Sequence, residues 1–186
     1  MTQPALPPPR EPGVYRLALV CLGNICRSPM AHVVLEARLV EAGLDDRVHV
    51  RSAGTGGWHV GEPMDRRAAA TLRDSGHDPS RHRGQRFEAD WFARTDLVLA
   101  MDGSNLQDLA DLQDLAGTDE PGEPGGPAET SRLLRYRDLD PAATDGDRDV
   151  PDPYYGADDG FATVLAMVER TTDALVDALS TTLARS

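Results

Sequence analysis

The stretch VCLGNICRSP, residues 20–29, decides the fold of this chain. An apolar run, Tyr15 to Val20, precedes it, and a helical pattern, Met30 to Leu39, follows it. The stretch is therefore predicted to be a tight loop between a strand and the N-terminus of a helix. In such a loop the backbone N–H groups converge on the centre, and the helix dipole adds positive potential there. We expect the loop to bind an anion.

The side chains of this loop suit a nucleophile beneath a bound anion. The thiol of Cys21 is pushed toward the thiolate, its nucleophilic form, and the Arg27 guanidinium can hold a phosphate through two parallel hydrogen bonds. Gly23 permits backbone geometry that a side chain would block, and Asn24 tolerates a left-handed backbone and can tie the loop internally. Ser28 can either cap the helix or donate to the thiolate. A buried structural cysteine before an ordinary capped helix is the alternative interpretation.

Strands and helices alternate along the rest of the chain. Strands are predicted at residues 15–20, 48–52 and 96–101, with a weaker candidate at 132–136, and helices at about 30–42, 64–75, 88–94, 104–115 and 161–183. This order predicts an α/β fold, a single Rossmann-like domain with three layers (αβα) around about four parallel strands. Ligands of such folds bind beyond the carboxyl ends of the strands, where the loop at residues 20–29 lies.

Two segments differ in composition from the rest. Residues 1–14 are rich in proline, and we expect a disordered tail there. Residues 117–130, GTDEPGEPGGPAET, are acidic and rich in proline and glycine, and we expect a mobile insertion there. Residues 15–186 are otherwise expected to form the single domain.

The bulk properties disfavour several classes of partner. The chain has 186 residues and a net charge of −12, whereas nucleic-acid binding needs a basic surface. No run is long and apolar enough to span a membrane, and the N-terminus lacks the basic and apolar regions of a secretory signal. Both cysteines lie in the loop, so a secreted disulfide framework is not expected. We expect a cytoplasmic monomer, with weak self-association possible and without nucleic-acid or membrane partners.

Two motifs carry a resemblance to a known family. VCLGNICRSPMA, residues 20–31, resembles the phosphate-binding loop of the low-molecular-weight protein tyrosine phosphatases. Far downstream, DPYYG, residues 152–156, resembles the loop that carries the general acid of that family. SAGTGGWHVGEPMD, residues 52–65, and LAMDGSN, residues 99–105, resemble further family segments. The resemblance runs from about residue 15 to the final helix, and two motifs in the family's order are more specific than either alone.

The resemblance implies hydrolysis of phosphotyrosine through a phosphocysteine intermediate. Cys21 is the expected nucleophile, Arg27 the phosphate clamp, and Asp152 the general acid that later acts as base. The other loop residues that are expected to bind the phosphate are Leu22, Gly23, Asn24, Ile25 and Cys26. Neither a metal nor another cofactor is expected, because Arg27 and the backbone supply the positive field. Inorganic phosphate and other oxyanions are expected to bind in the same loop as inhibitors.

The resemblance also assigns the walls and the support of the site. Trp58, Tyr154 and Tyr155 resemble the aromatic residues at the mouth of the family's pocket. The pocket that these residues form would be deep enough to favour phosphotyrosine over phosphoserine. Proteins that contain phosphotyrosine are therefore the expected substrates. His82, together with Asn24 and Ser28, resembles a hydrogen-bond network that supports the thiolate.

The second cysteine has two interpretations. Cys26 could form a reversible disulfide with Cys21, which would protect the nucleophile from over-oxidation. It could equally be a small apolar residue of the loop.

Three rival functions share this loop. Phosphoarginine phosphatases have the same fold but carry threonine in place of Ile25, and usually phenylalanine in the loop that carries the general acid. Ile25 and the Tyr154–Tyr155 pair therefore favour phosphotyrosine as the substrate. Arsenate reductases need further cysteines downstream, and this chain has none after Cys26. A non-enzymatic phosphate-binding protein is the third alternative, and the complete set of catalytic residues argues against it.

Overall fold

Strands and helices alternate in the computed structural model, which describes residues 5–116, 132–156 and 159–186. The strands in these ranges are β1 (Tyr15–Cys21), β2 (Val48–Gly54), β3 (Leu97–Ala100) and β4 (Leu133–Arg135). The helices are α1 (Arg27–Ala42), α2 (Arg66–Asp74), α3 (Trp91–Arg94), α4 (Gly103–Ala116) and α5 (Asp159–Leu183), with a 3-10 turn at Tyr136–Leu139. Every predicted strand and helix is present, with ends shifted by up to three residues.

One parallel sheet positions the loop that follows β1. Its strand order is β2-β1-β3-β4, and all neighbouring pairs are parallel. The register places Cys21 opposite Gly54, and Val20 opposite Ala100. Three strands therefore end at the same edge of the sheet, and Cys21 is the last residue of a central strand there. The predicted α/β fold with a small parallel sheet is confirmed.

Helices cover both faces of the sheet. Alternate residues of β1 point to opposite faces, so that Leu17 and Leu19 join one buried apolar cluster and Ala18 and Val20 join the other. The first cluster contains buried residues of α1, α2 and α5, among them Val34, Leu35, Leu72, Phe161, Val168 and Leu175. The second contains Phe87, Trp91, Phe92 and Leu109, which belong to α3, α4 and the segment before them. This is the predicted three-layer arrangement.

The N-terminal segment differs from the disordered tail that its composition predicts. Of residues 1–14, the structure describes 5–14, and these lie against the domain. Leu6 is buried, the Tyr15 hydroxyl donates to the carbonyl of Pro7 (3.0 Å), and the backbone N–H of Arg10 donates to the Asp96 carboxylate (2.6 Å). Proline-rich composition does not report such tertiary contacts. The predicted mobile insertion at residues 117–130 lies outside the described residues.

A buried arginine organises the polar stretch between residues 138 and 149. The Arg137 side chain donates to the carboxylates of Asp140 (3.0 Å) and Asp147 (2.9 Å) and to the carbonyl of Asp149 (2.9 Å). Arg170 of α5 donates to both oxygens of Asp140, each at 2.7 Å. These bonds fix the stretch that leads to Asp152 against α5.

In the described part of the chain, no helix is long and apolar enough to cross a membrane.

We expect Asp140→Asn to destabilise the fold in a pH-dependent way. Burial raises the pKa of Asp140, but hydrogen bonds from Arg170, from the Ala142 N–H and from Arg137 outweigh it, and the pKa is about 2. A carboxylate whose pKa is depressed in the folded state contributes stability above its unfolded pKa of about 4, and this contribution disappears as the pH falls toward about 2. The wild type should exceed the variant by about 2 kcal/mol in free energy of unfolding at pH 7.

Urea unfolding between pH 3 and pH 7 measures this difference. The difference in free energy of unfolding between the wild type and Asp140→Asn should become smaller below pH 4. For the control variant Asp46→Asn, at an exposed carboxylate, the difference from the wild type should not depend on pH. A difference that stays constant over the whole pH range would contradict the assignment of Asp140.

Candidate active site

The backbone of the cysteine loop, residues 21–27, is anchored by its carbonyl groups. Four of its carbonyl oxygens accept hydrogen bonds from outside the loop: Cys21 from Thr55 N (2.9 Å), Leu22 from Gly56 N (2.9 Å), Asn24 from His82 Nε2 (2.8 Å) and Ile25 from Asp65 N (2.8 Å). In a trans peptide the C=O and the following N–H point in opposite directions. The N–H groups of residues 22, 23, 25 and 26 therefore face the centre of the loop, where they can bind an anion.

A close backbone approach requires glycine beside the loop. A Cβ atom on Gly54, the last residue of β2, would lie 2.7 Å from the carbonyl oxygen of Leu22. Gly23, in contrast, has no left-handed backbone, and a Cβ there would meet a carbon of the His59 ring at 3.3 Å. The left-handed residue of the loop is Asn24, with φ of 55°. The unusual backbone geometry that was expected at Gly23 is thus found at two other residues: Asn24 has the left-handed conformation, and Gly54 makes the close backbone approach.

The Cys21 sulfur lies among hydrogen-bond donors. Its Sγ accepts from the Asn24 N–H (3.2 Å) and lies 3.1 Å from the Ser28 hydroxyl. The Asn24 amide donates to that hydroxyl (2.9 Å), whose own proton is directed to Sγ or to the Ala53 carbonyl at 3.3 Å. Ser28 does not cap α1, because Cys26 is the capping residue and makes no side-chain cap bond. Two donors at one sulfur stabilise a thiolate.

His82 supports the loop from outside. Its Nε2 lies 2.8 Å from the Asn24 carbonyl, and because a carbonyl only accepts, Nε2 carries the proton. Burial lowers the pKa of His82, with the bond to Asn24 opposing the shift, so the ring is neutral at neutral pH. The Asn24 side-chain oxygen accepts from the Gln85 N–H (2.8 Å). Asn24, Ser28 and His82 are therefore joined in one network beneath the loop.

Arg27 is a buried cation with carboxylate partners. Its side chain is 3% exposed, and it donates to Asp102, to the Val150 carbonyl (3.2 Å) and to Asp152 (2.9 Å). Burial lowers the pKa of Arg27, but the negative charges of Cys21, Asp102 and Asp152 together raise it above its usual value. The guanidinium is thus fixed between the cysteine loop and residues 151–156, which we call the acid loop.

Asp102 is a site residue that the sequence reasoning missed. It follows β3, holds Arg27 with one oxygen, and accepts from the Asn105 N–H at the start of α4 with the other (2.7 Å). Its position in the sequence could have predicted this role. A carboxylate that follows a buried parallel strand lies at the same edge of the sheet as the end of β1.

A cavity of about 310 Å³ opens above the loop. It is lined by Cys21, Leu22, Gly23, Ile25, Cys26, Arg27, Trp58, His59, Asp152, Tyr154 and Tyr155. The structure thus brings together every predicted catalytic and pocket residue. His59 was not predicted, since a lone histidine in a glycine-rich loop carries no recognisable pattern; its Nδ1 lies 2.6 Å from Glu62 Oε2.

Aromatic rings and one carboxylate form the upper part of the cavity. Asp152 is 35% exposed, and its second oxygen accepts from the Tyr154 N–H (3.1 Å). The rings of Tyr154 and Tyr155 meet edge to face, with centroids 4.9 Å apart. Trp58 and Tyr155 are largely exposed, at 71% and 89%. This leaves a mouth with flat apolar walls that suit another aromatic ring.

The two cysteines are in different environments, although both are buried and reduced. Burial raises the pKa of the Cys26 thiol, and the negative charges of Asp65, Cys21 and Asp152 raise it further. Cys26 is therefore held as a neutral thiol. The predicted Cys21–Cys26 disulfide stays a prediction.

The fold and the site together define an α/β protein with a cysteine loop after its first strand, shaped to accept an anion. The family model described as low molecular weight phosphotyrosine protein phosphatase matches residues 16–185. The chain belongs to this family, as its two motifs predicted.

Relatives and a solved structure agree with that family. The chain is 47% identical over 165 residues to a low molecular weight protein-tyrosine-phosphatase of Streptomyces coelicolor, covering 89% of this chain and 93% of the relative. It is 38% identical over 170 residues to low molecular weight protein-tyrosine phosphatase A of Mycobacterium tuberculosis, covering 91% and 94%. The crystal structure of YfkJ from Bacillus subtilis superposes with a TM-score of 0.77 at 28% identity, covering 90% of this chain and 96% of that one.

We expect iodoacetate to alkylate Cys21 much faster than Cys26. The donors at Cys21 Sγ stabilise the reactive thiolate, whereas the pKa of Cys26 is raised. At pH 6.5 mass spectrometry should find Cys21 modified about tenfold faster or more, since a hydrogen bond to a charged group contributes about 1.5–3 kcal/mol. Inorganic phosphate, bound in the cysteine loop, should slow the alkylation of Cys21.

Removing one donor provides the control. Ser28→Ala should slow alkylation of Cys21 severalfold, and Ser75→Ala, at an exposed serine, should not. Equal rates at the two cysteines, or no effect of Ser28→Ala, would contradict the assignment.

Proposed function

We propose that this chain is a protein-tyrosine-phosphatase that hydrolyses phosphotyrosine in proteins through a phosphocysteine intermediate. One observation carries the proposal: a cysteine sulfur with two hydrogen-bond donors lies in the same cavity as a buried arginine, a carboxylate and an aromatic mouth. We place the enzyme in the cytoplasm as a monomer. Inorganic phosphate, its product, would bind in the cysteine loop as a competitive inhibitor.

In the first step the Cys21 thiolate attacks phosphorus in line with the phenolic oxygen. The S–P bond forms while the P–O bond to tyrosine breaks. Three equatorial oxygens are held by Arg27 and by the inward N–H groups of the cysteine loop, which stabilise the charge of the transition state. Asp152 donates its proton to the departing phenolate, so that neutral tyrosine leaves.

In the second step water attacks the phosphocysteine. The Asp152 carboxylate accepts a proton from this water, the P–S bond breaks, and inorganic phosphate forms. The electron pair returns to Cys21 Sγ, where the Ser28 hydroxyl and the Asn24 N–H stabilise the departing thiolate. The same donors thus favour both the attack and the release.

Substrate binding requires Arg27 to exchange partners. The guanidinium donates to Asp152 with Nη2 and to Asp102 with Nη1. A phosphoryl group in the loop would take the place of Asp152 on Nη2, while Asp102 keeps Nη1 and the orientation of the guanidinium. Asp152 would then be released toward the leaving oxygen, and its carboxylate would take up from solvent the proton that it donates in the first step.

The cavity favours an aromatic phosphoester. Trp58, Tyr154 and Tyr155 can pack on a phenyl ring whose phosphate reaches the loop, whereas the shorter phosphoserine would leave these walls unused. Ile25 lines the cavity with apolar atoms, which offer no hydrogen-bond partner to the guanidinium of phosphoarginine. Phosphoarginine is accordingly the less favoured substrate.

Phosphate release from a phosphotyrosine peptide tests the proposed activity. We expect turnover of phosphotyrosine, with phosphoserine and phosphoarginine peptides cleaved at least about tenfold more slowly. Cys21→Ser should abolish turnover, because an alcohol at that position is a poor nucleophile. Preference for phosphoarginine would replace the proposed substrate, and no turnover by the reduced, folded protein would favour a phosphate-binding protein.

The acid assignment of Asp152 predicts a dependence on the leaving group. Asp152→Ala should lower kcat/KM for the phosphotyrosine peptide by about 10²- to 10⁴-fold, because the phenolate then leaves without a proton. The loss should be much smaller for p-nitrophenyl phosphate, whose leaving group needs little assistance. Asp145→Ala, at an exposed carboxylate upstream, should change neither value. Equal losses on both substrates would refute the acid role.

A further inference from the structure

The start of α2 is fixed to the cysteine loop. The backbone N–H of Asp65 donates to the carbonyl of Ile25 (2.8 Å). The Asp65 carboxylate caps the helix by accepting from the N–H groups of Arg67 (2.8 Å) and Ala68 (3.4 Å). The position of this helix start is therefore coupled to the loop that would hold the phosphoryl group.

The side chain of Arg67 extends from this helix start to the acid loop. Its guanidinium donates to the carbonyl of Tyr154 (3.1 Å) and to the two oxygens of Asp65 (3.2 and 3.3 Å). It also lies over the rings of Tyr154 and Phe161, 5.6 and 4.8 Å from their centroids. Tyr154 is in the acid loop and Phe161 is near the start of α5, so one guanidinium contacts the chain on both sides of residues 155–160.

The Asp65–Arg67 pair is charged at neutral pH. Burial raises the pKa of Asp65, but hydrogen bonds from the side chain and backbone of Arg67 outweigh it and lower the pKa. The Asp65 side chain is 15% exposed and that of Arg67 is 35% exposed, so solvent screens the pair only in part. A guanidinium that is held by a carboxylate on one side has little freedom at its contact with Tyr154.

Tyr154 connects Arg67 to Asp152. The N–H of Tyr154 donates to one oxygen of Asp152 (3.1 Å), and the carbonyl of the same residue accepts from Arg67. A displacement of Tyr154 would therefore move the carboxylate relative to Cys21. Among the described residues, Asp152 accepts from no other backbone N–H, and its second oxygen is bound to Arg27 and must be released when substrate enters.

We propose that Arg67 is a positioning residue for the general acid: through Tyr154 it holds the Asp152 carboxylate at the leaving oxygen while Arg27 binds the phosphoryl group. This inference rests on the proposed function, in which Asp152 protonates the phenolate. Arg67 acts on the side of the cavity that holds the general acid, through its contacts with Asp65, Tyr154 and Phe161. Its loss should therefore impair proton donation and leave phosphate binding unchanged.

Kinetics of Arg67→Ala with two substrates test the role. We expect kcat/KM for the phosphotyrosine peptide to fall about 10- to 100-fold, since a misplacement of about 1 Å can cost 10²-fold. The value for p-nitrophenyl phosphate and the inhibition constant of inorganic phosphate should change less than about threefold. Arg67→Lys, which keeps the charge but not the fork of donors, should be intermediate. Arg66→Ala is the matched control, because the Arg66 side chain is exposed and makes no hydrogen bond or ion pair with the described residues.

A double-mutant cycle separates positioning from a structural role. In the Asp152→Ala background, Arg67→Ala should cause no further loss with the phosphotyrosine peptide, because the group that it positions is gone. A role in stability alone would lower the rates for both substrates, and by the same factor in both backgrounds. Either of those results would overturn the proposal, and Arg67→Lys gives the same test if the alanine variant does not fold.

The same data test the acid role of Asp152 and the positioning role of Arg67 separately. If Asp152→Ala is selective for the poor leaving group but Arg67→Ala is not, the positioning role is wrong and the proposed catalytic mechanism stands. If Asp152→Ala shows no selectivity, both the acid assignment and the role of Arg67 are wrong.

Discussion

The outward hydrogen bonding of the cysteine-loop carbonyls is the constraint on which the site depends. Each carbonyl that is bound from outside turns the next N–H inward, so four external donors create the ring of N–H groups. These donors come from the segment after β2, from His82 and from the start of α2. The anion site is thus a property of the assembled domain, although the residues that would hold the anion are contiguous. This explains why Gly54, outside the loop, must lack a side chain.

Charge is distributed locally in a way that the net charge conceals. The chain carries a net charge of −12, yet the cavity contains a buried arginine and the N-terminus of α1. The acidic residues nearest to Arg27, Asp102 and Asp152, keep it charged and oriented despite its burial. Carboxylates therefore stabilise the buried guanidinium of Arg27, because a desolvated guanidinium without partners would be costly.

The sequence predicted those features that are local in the chain. The strand–loop–helix unit from Tyr15 to Ala42 was readable because periodicity, glycine and proline positions and the Cys21–Arg27 spacing lie within one short segment. The resemblance added Asp152 and the aromatic residues, which no local pattern could connect to Cys21. The α/β class and the three-layer arrangement around a parallel sheet followed from the alternation of elements, whereas the strand order came from the structure.

Features that depend on distant contacts could not be predicted. Leu6 lies in a proline-rich segment and becomes buried only through the packing of the domain. Asp102 and Arg67 have hydrogen-bond partners 75 and 87 positions away, and the periodicity of a single sequence contains no information about such pairs. Helix capping at Ser28 was a reasonable expectation for a serine near a helix start, but the sulfur of Cys21 competes for the same hydroxyl.

The ion pair between Arg27 and Asp152 would also limit which anions can bind, according to their charge. An entering anion must replace a carboxylate on the guanidinium, so a singly charged species exchanges one negative charge for another. A phosphomonoester dianion brings one additional charge and three free oxygens, which the ring of N–H groups can bind at once. A phosphodiester brings a single charge and two free oxygens. Under the proposed function, the resting ion pair would therefore discriminate between monoesters and diesters before any bond is broken.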